Sequence, residues 1–179
     1  MTALVQRDRY RVDLAAYMDT CDRNYRRLLH LIPALESVRP SRGDQPGQQS
    51  EDQDVVGQVW RFALPGGNSP KRSGLAVKVD VRVLESFVYT TTLEITISSG
   101  FPAWAPAPRM QLRMYHDADT AEPLSYQGHR RIPVRSVVPN ARMYHEDEKR
   151  QINEFLAEWL ELCVRFGVRT QSPDTVCST

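Results

Sequence analysis

The residues best equipped for chemistry occur in two clusters. LRMYHDAD at residues 112–119 and ARMYHEDE at 141–148 each set Arg-Met-Tyr-His ahead of acids. Were the two stretches to meet, His116, Asp117, Asp119, His145 and Asp147 would offer imidazole nitrogens and carboxylate oxygens to one point. That donor set suits zinc, manganese or iron, whose bound water hydrolyses a substrate. Each stretch also has a local explanation. His116 continues the apolar face of a strand and Asp117 opens a turn, while Glu146, Asp147 and Glu148 stand at the positive end of a helix, where carboxylates cap free amides. No HExxH or comparable spacing fixes a ligand geometry, so neither a metal nor a cofactor is assigned.

Between the clusters, GHRRIPVRSVVPNAR supplies His129, Arg130, Arg131, Arg135 and Arg142, beside Arg109 and Arg113 on the preceding strand. Guanidinium forks hold phosphate or carboxylate bidentately. The flanking acids Asp117, Asp119 and Glu122, with Glu146 to Glu148, can equally neutralise them. LPGGNSPKRSG lacks the Gly-Lys-Ser/Thr ending of a phosphate loop, and no serine sits in a GxSxG elbow. Cys21 and Cys163 fall on helical core faces, where a thiol behaves as a small hydrophobe. The candidate binding surface therefore comprises Tyr115, His116, Asp117, Glu122, Gln127, Arg131, Arg135, Asn140, His145, Asp147 and Lys149.

Elements must position these groups. From Asp13 to Ile32 apolar residues recur at Leu14, Tyr17, Met18, Cys21, Tyr25, Leu28 and Leu29, the spacing of one helix face, with Asp13 as cap and Pro33 as stop. Residues 39–54 carry neither an aromatic nor an aliphatic side chain up to Asp54 and read as a flexible internal loop. A strand follows over Val55–Leu64. Leu75 to Val83 and Phe87 to Ile97 then alternate with period two, which predicts an antiparallel hairpin turning near Glu85 and Ser86. The proline-rich segment 98–108 crosses irregularly, carrying Phe101 and Trp104. Arg109–His116 forms a fourth strand with Met110, Leu112 and Met114 on one side. Residues 121–127 form an edge strand weakened by Pro123. The last helix runs from about Asp147 to Phe166 with Ile152, Phe155, Leu156, Trp159, Cys163 and Phe166 inward and Lys149 outward, and residues 169–179 read as a mobile tail. The expected fold is α+β over residues 1–168: an N-terminal helix, an antiparallel sheet of four to five strands, and a C-terminal helix packed on the sheet.

Composition excludes several classes. Among 179 residues, 23 Lys and Arg against 22 Asp and Glu leave a net charge of +1, too little to recruit nucleic acid or an anionic membrane through a global field. The apolar runs are too short for a signal peptide or a membrane span, so the expected address is the cytoplasm. Cys21, Cys163 and Cys177 lack the spacing of a zinc ribbon or a disulfide framework.

Cys21-x-x-Asn24-Tyr25, Leu28-Leu29 before Pro33, Tyr89-Thr90-Thr91-Thr92-Leu93 and Tyr115-His116-Asp117-Ala118 with Ala121-Glu122 form a distinctive series. Pro139-Asn140, Asp147-Glu148-Lys149-x-Gln151-Ile152-Asn153 and Phe155-Leu156-Ala157-x-Trp159-Leu160-x-x-Cys163 continue it. Together they resemble the YqiB-like family of bacterial proteins, a domain of unknown function, from about residue 9 to 167. The resemblance implies a small cytosolic bacterial protein, and implies that the strand end and the helix start share one surface.

Two functions fit these residues. The first is a non-enzymatic adaptor or regulatory binding protein that holds a protein partner or a small anionic ligand on the candidate surface. The second is a hydrolase acting on a phosphate-containing metabolite, with His116 or His145 as base, Asp117 and Asp147 as metal-binding or orienting carboxylates, and Arg131 or Arg135 on the phosphate.

Overall fold

A computed structural model describes residues 13–40, 55–64, 77–97, 108–126, 129–130 and 148–175. It comprises α1 (Leu14–Leu31), a short 3-10 helix (Pro33–Glu36), β1 (Gln58–Leu64), β2 (Val77–Phe87), β3 (Thr90–Ile97), β4 (Arg109–Tyr115), β5 (Thr120–Tyr126), β6 (His129–Arg130), α2 (Glu148–Phe166) and β7 (Val168–Thr175). The architecture is α+β. The strands form one antiparallel sheet in the order β6-β5-β4-β3-β2-β1-β7, more strands than the four to five expected.

Both helices lie on one face of that sheet and run side by side in the same direction: Asn24 meets Asn153, and further along Arg27 meets Glu161. Register puts Trp60, Val81, Ile95 and Met110 in one row across β1 to β4, and Val83, Leu93 and Leu112 in the next. These rows bury against Leu28, Leu156 and Leu160 from the helices. The opposite face is polar. There Arg61 meets Asp80, Arg109 meets Glu94 and Arg113 meets Glu85 at 3.7–4.0 Å, partly exposed pairs that each contribute about 0–1 kcal/mol.

Helix α1 starts as its sequence dictates, with the Asp13 carboxylate accepting from the Ala16 amide at 3.0 Å. Its buried stripe differs from the apolar one. Thr20, Cys21, Asn24, Tyr25, Leu28 and Leu29 are buried, while Leu14 and Met18 are exposed. Asn24 is passed over by hydrophobic periodicity because its burial depends on a hydrogen bond to Asn153. Helix α2 departs similarly: Leu156, Trp159, Leu160 and Cys163 are buried, but Phe155 and Phe166 are exposed.

The hairpin turns at Val88 and Tyr89, not at Glu85 and Ser86, because β2 runs on to Phe87. A bulge between Val83 and Glu85 shifts the pairing and buries Ser86, so the alternation breaks without the strand ending. Strand β5 is lined by β6 at Ser125 and Tyr126 and so is not the edge. Its Pro123 lies opposite Leu112 beside a register shift, a place that tolerates a missing amide donor.

Of the segment 169–179 expected as a mobile tail, 176–179 lie outside the described residues and 169–175 belong to β7, which pairs antiparallel with β1 from Ala63↔Val168 to Gln58↔Thr175. Side-chain alternation does not announce it; backbone pairing along β1 builds it. The joint between α2 and β7 needs glycine. A Cβ on Gly167 would stand 2.3 Å from the Cys163 carbonyl oxygen, to which the Gly167 amide already donates at 2.9 Å. Residues 41–54 of the expected flexible loop, and the 98–107 crossing, lie outside the described residues.

Candidate functional site

His116 follows β4 directly, and its amide donates to the Tyr89 carbonyl at 2.9 Å, which turns the side chain inward beside Met114. The ring is 3% exposed. Its Nδ1 lies 3.0 Å from the Tyr25 hydroxyl and its Nε2 2.9 Å from the Thr91 hydroxyl, while the Tyr25 ring packs edge-on against it. Burial, and then the Arg39 guanidinium, push its pKa down to about 4 against the opposing pull of Asp117 and Asp119. The imidazole is neutral near pH 7, with one nitrogen donating and the other accepting. Both nitrogens are engaged by buried hydroxyls, a geometry that does not suit the expected role of His116 as a base.

Around this imidazole the turn carries exposed Asp117 and Asp119. Asp119 has φ 51°, a left-handed conformation that aspartate tolerates better than most residues. Its carboxylate accepts from Arg39 at 2.9 Å, and that guanidinium also lies over the Tyr25 ring.

The groups that do converge lie one strand further on. Glu122 of β5 accepts from the Tyr115 hydroxyl at 3.3 Å on one oxygen and from the Tyr17 hydroxyl at 3.2 Å on the other. Lys149, in the first turn of α2, places its ammonium 2.7 Å from the second oxygen and over the Tyr17 ring. The Lys149 side is therefore not the outward face expected: its side chain is 19% exposed and that of Glu122 is 24% exposed. Burial first, and then the neighbouring Cys21 and Glu122, raise the Tyr17 pKa, and burial followed by Glu122 raises that of Tyr115. Both phenols therefore stay protonated donors, and Glu122 is held by two of them and one cation.

Tyr17 belongs to this cluster although its sequence position marks it as core. The signal that could have found it is its place one turn before Cys21 in a stripe that also holds Asn24. Asn153 donates to the Cys21 sulfur at 3.3 Å and accepts from Asn24 at 2.9 Å. Burial dominates the upward shift of the Cys21 thiol and lifts Cys163 to about 11, so both sulfurs remain thiols near pH 7.

Beside the cluster, α1 and α2 leave a groove of about 660 Å³ that includes Tyr17, Thr20 and Asn153. Small Ala16 and Ala157 line it from the two helices. Charges of both signs line it, with Arg23 on Asp19, Arg27 on Glu161 and Arg150 on Glu154.

Of the residues expected to form the surface, the structure brings Tyr115, Glu122 and Lys149 together, buries His116 and exposes Asp117. Gln127, Arg131, Arg135, Asn140, His145 and Asp147 lie outside the described residues. Among the described residues, no three His, Cys, Asp or Glu side chains stand where they could share a metal ion. None of the described helices is long and apolar enough to cross a membrane.

Residues 27–169 match the family described as "Protein of unknown function (DUF1249)". The chain belongs to this family. It is 31% identical over 159 residues to "Uncharacterized protein YqiB" of Escherichia coli strain K12, an alignment that covers 89% of this chain and 94% of the relative. The proteins of the same description from the O6:H1 strain CFT073 and from O157:H7 match equally. No solved structure matches the fold. The family match includes His116, Glu122, Lys149 and Asn153, whereas Tyr17, Cys21 and Asn24 precede it.

Proposed function

We propose that the protein is a non-enzymatic binding protein, an adaptor or regulator, that receives a protein partner where α2 enters the fold and along the groove between α1 and α2. The observation that carries this reading is the 2.7 Å contact of Lys149 with Glu122, backed by the Tyr17 and Tyr115 hydroxyls. It ties the start of α2 to the strands and to α1, making a fixed surface of mixed charge and aromatic groups beside the groove. Such a surface offers orientation and complementarity to a partner. The described groups best suited to catalysis are spent internally: His116 on Tyr25 and Thr91, Glu122 on its three donors.

The test is quantitative affinity capture with the native protein and with Ala157→Arg, which fills the groove from a partly exposed helix position. Circular dichroism confirms that the variant is folded. The expected result is at least one partner captured by the native protein and lost from the variant. Equal recovery of every partner by both proteins removes the groove as the binding surface.

A further inference from the structure

Helix α2 carries two apolar stripes side by side. Leu156, Leu160 and Cys163 face the sheet and are buried. The other stripe, Ile152, Phe155, Trp159, Leu162 and Phe166, alternates spacings of three and four, the seam by which one helix grips another. The core absorbs Trp159 and part of Ile152, yet Phe155 is 41% exposed, Leu162 47% and Phe166 55%, and Val168 just beyond the helix is 66% exposed. This flank turns away from α1, so it is separate from the groove floor at Asn153 and Ala157.

We propose that this flank pairs antiparallel with the same flank of a second copy of the chain, forming a two-fold dimer centred near Leu162. The charges beside the seam select that occupant and that direction. Glu158 and Arg165 stand one heptad apart in the row bordering the apolar stripe. About a two-fold axis near Leu162, Glu158 of one copy meets Arg165 of the second copy, and the reciprocal pair forms by the same symmetry. Phe155 then meets Val168 of the second copy. A parallel pairing would set Glu158 against Glu158 and Arg165 against Arg165. Glu158 is exposed and, among the described residues, has neither an ion pair nor a hydrogen bond. Arg165 is also exposed and shares Glu161 with Arg27, so it can turn outward while Glu161 keeps a cation.

Sedimentation velocity across a micromolar concentration series tests the dimer, with circular dichroism confirming the fold of each variant. The expected result is a concentration-dependent dimer that Leu162→Glu weakens by about tenfold or more. Glu158→Arg and Arg165→Glu should each weaken it, and the two together should restore it, because the swapped charges again oppose. A monomer at every concentration overturns the proposal. So does a dimer that Leu162→Glu leaves intact, or a double variant no tighter than the single ones.

Discussion

His116 and Glu122 sit at either side of one short turn, and the fold treats them in opposite ways. The imidazole is sealed between Tyr25 and Thr91 and kept neutral. The carboxylate keeps part of its surface in solvent and gathers a cation and two phenols. The difference teaches that a polar side chain in a chemical-looking motif is decided by how many of its bonding directions the core consumes. His116 has none left and acts as a fastening of the sheet to α1. Glu122 fastens α1, α2 and the sheet while still bordering solvent.

The largest test of that contrast removes the imidazole. His116→Ala leaves two buried hydroxyls with unsatisfied bonding and opens a cavity, and urea unfolding should show a loss of about 3–5 kcal/mol. A loss below about 1 kcal/mol would mean that the site is wetter than the geometry indicates.

Acidification comes next. The folded pKa of about 4 lies below the ordinary histidine value of 6.5, so in this window the unfolded chain binds more protons. The associated stability is present above about pH 6.5 and is lost as pH falls towards 4, by about 3 kcal/mol in all. Urea midpoints measured across that window should slope more steeply for the native protein than for His116→Gln. Parallel slopes would assign the acid sensitivity to other groups.

The smallest effect belongs to the other region. Glu122→Gln, Lys149→Met and their double variant should give a coupling energy of about 1 kcal/mol or less, reduced by added salt, because solvent reaches both partners. A coupling of about 3 kcal/mol would place Glu122 with His116 as a buried fastening and erase the contrast.

Much of this was legible in the sequence, and the limits have physical causes. Helix periodicity located α1 and α2, and strand alternation put His116 on the Met110, Leu112 and Met114 face, where it lies. The resemblance implied one surface for the strand end and the helix start, but the described groups that meet there are Tyr115, Glu122 and Lys149, and Lys149 was expected to face outward. Tyr17 was hidden because a phenol on an apolar stripe looks like core until its hydroxyl finds Glu122. The turn at Val88 was hidden by a bulge, which resets alternation as a chain reversal would. Strand β7 was hidden because main-chain groups, which every residue carries, do the pairing. Phe155 and Phe166 satisfied helical spacing yet stayed outside, because a stripe wider than the contact cannot all be covered.

The pairing of β7 with β1 has a consequence for the order of assembly. The strands from β2 to β5 join neighbours close in sequence, so their connections close early at small entropic cost. The contact of Gln58 with Thr175 must wait for almost the whole intervening chain. During synthesis the meander can form while one side of β1 still lacks its neighbour, and only when the chain has passed Gly167 can that margin close. Made after the other described strands, β7 covers an edge that β1 would otherwise leave open to association.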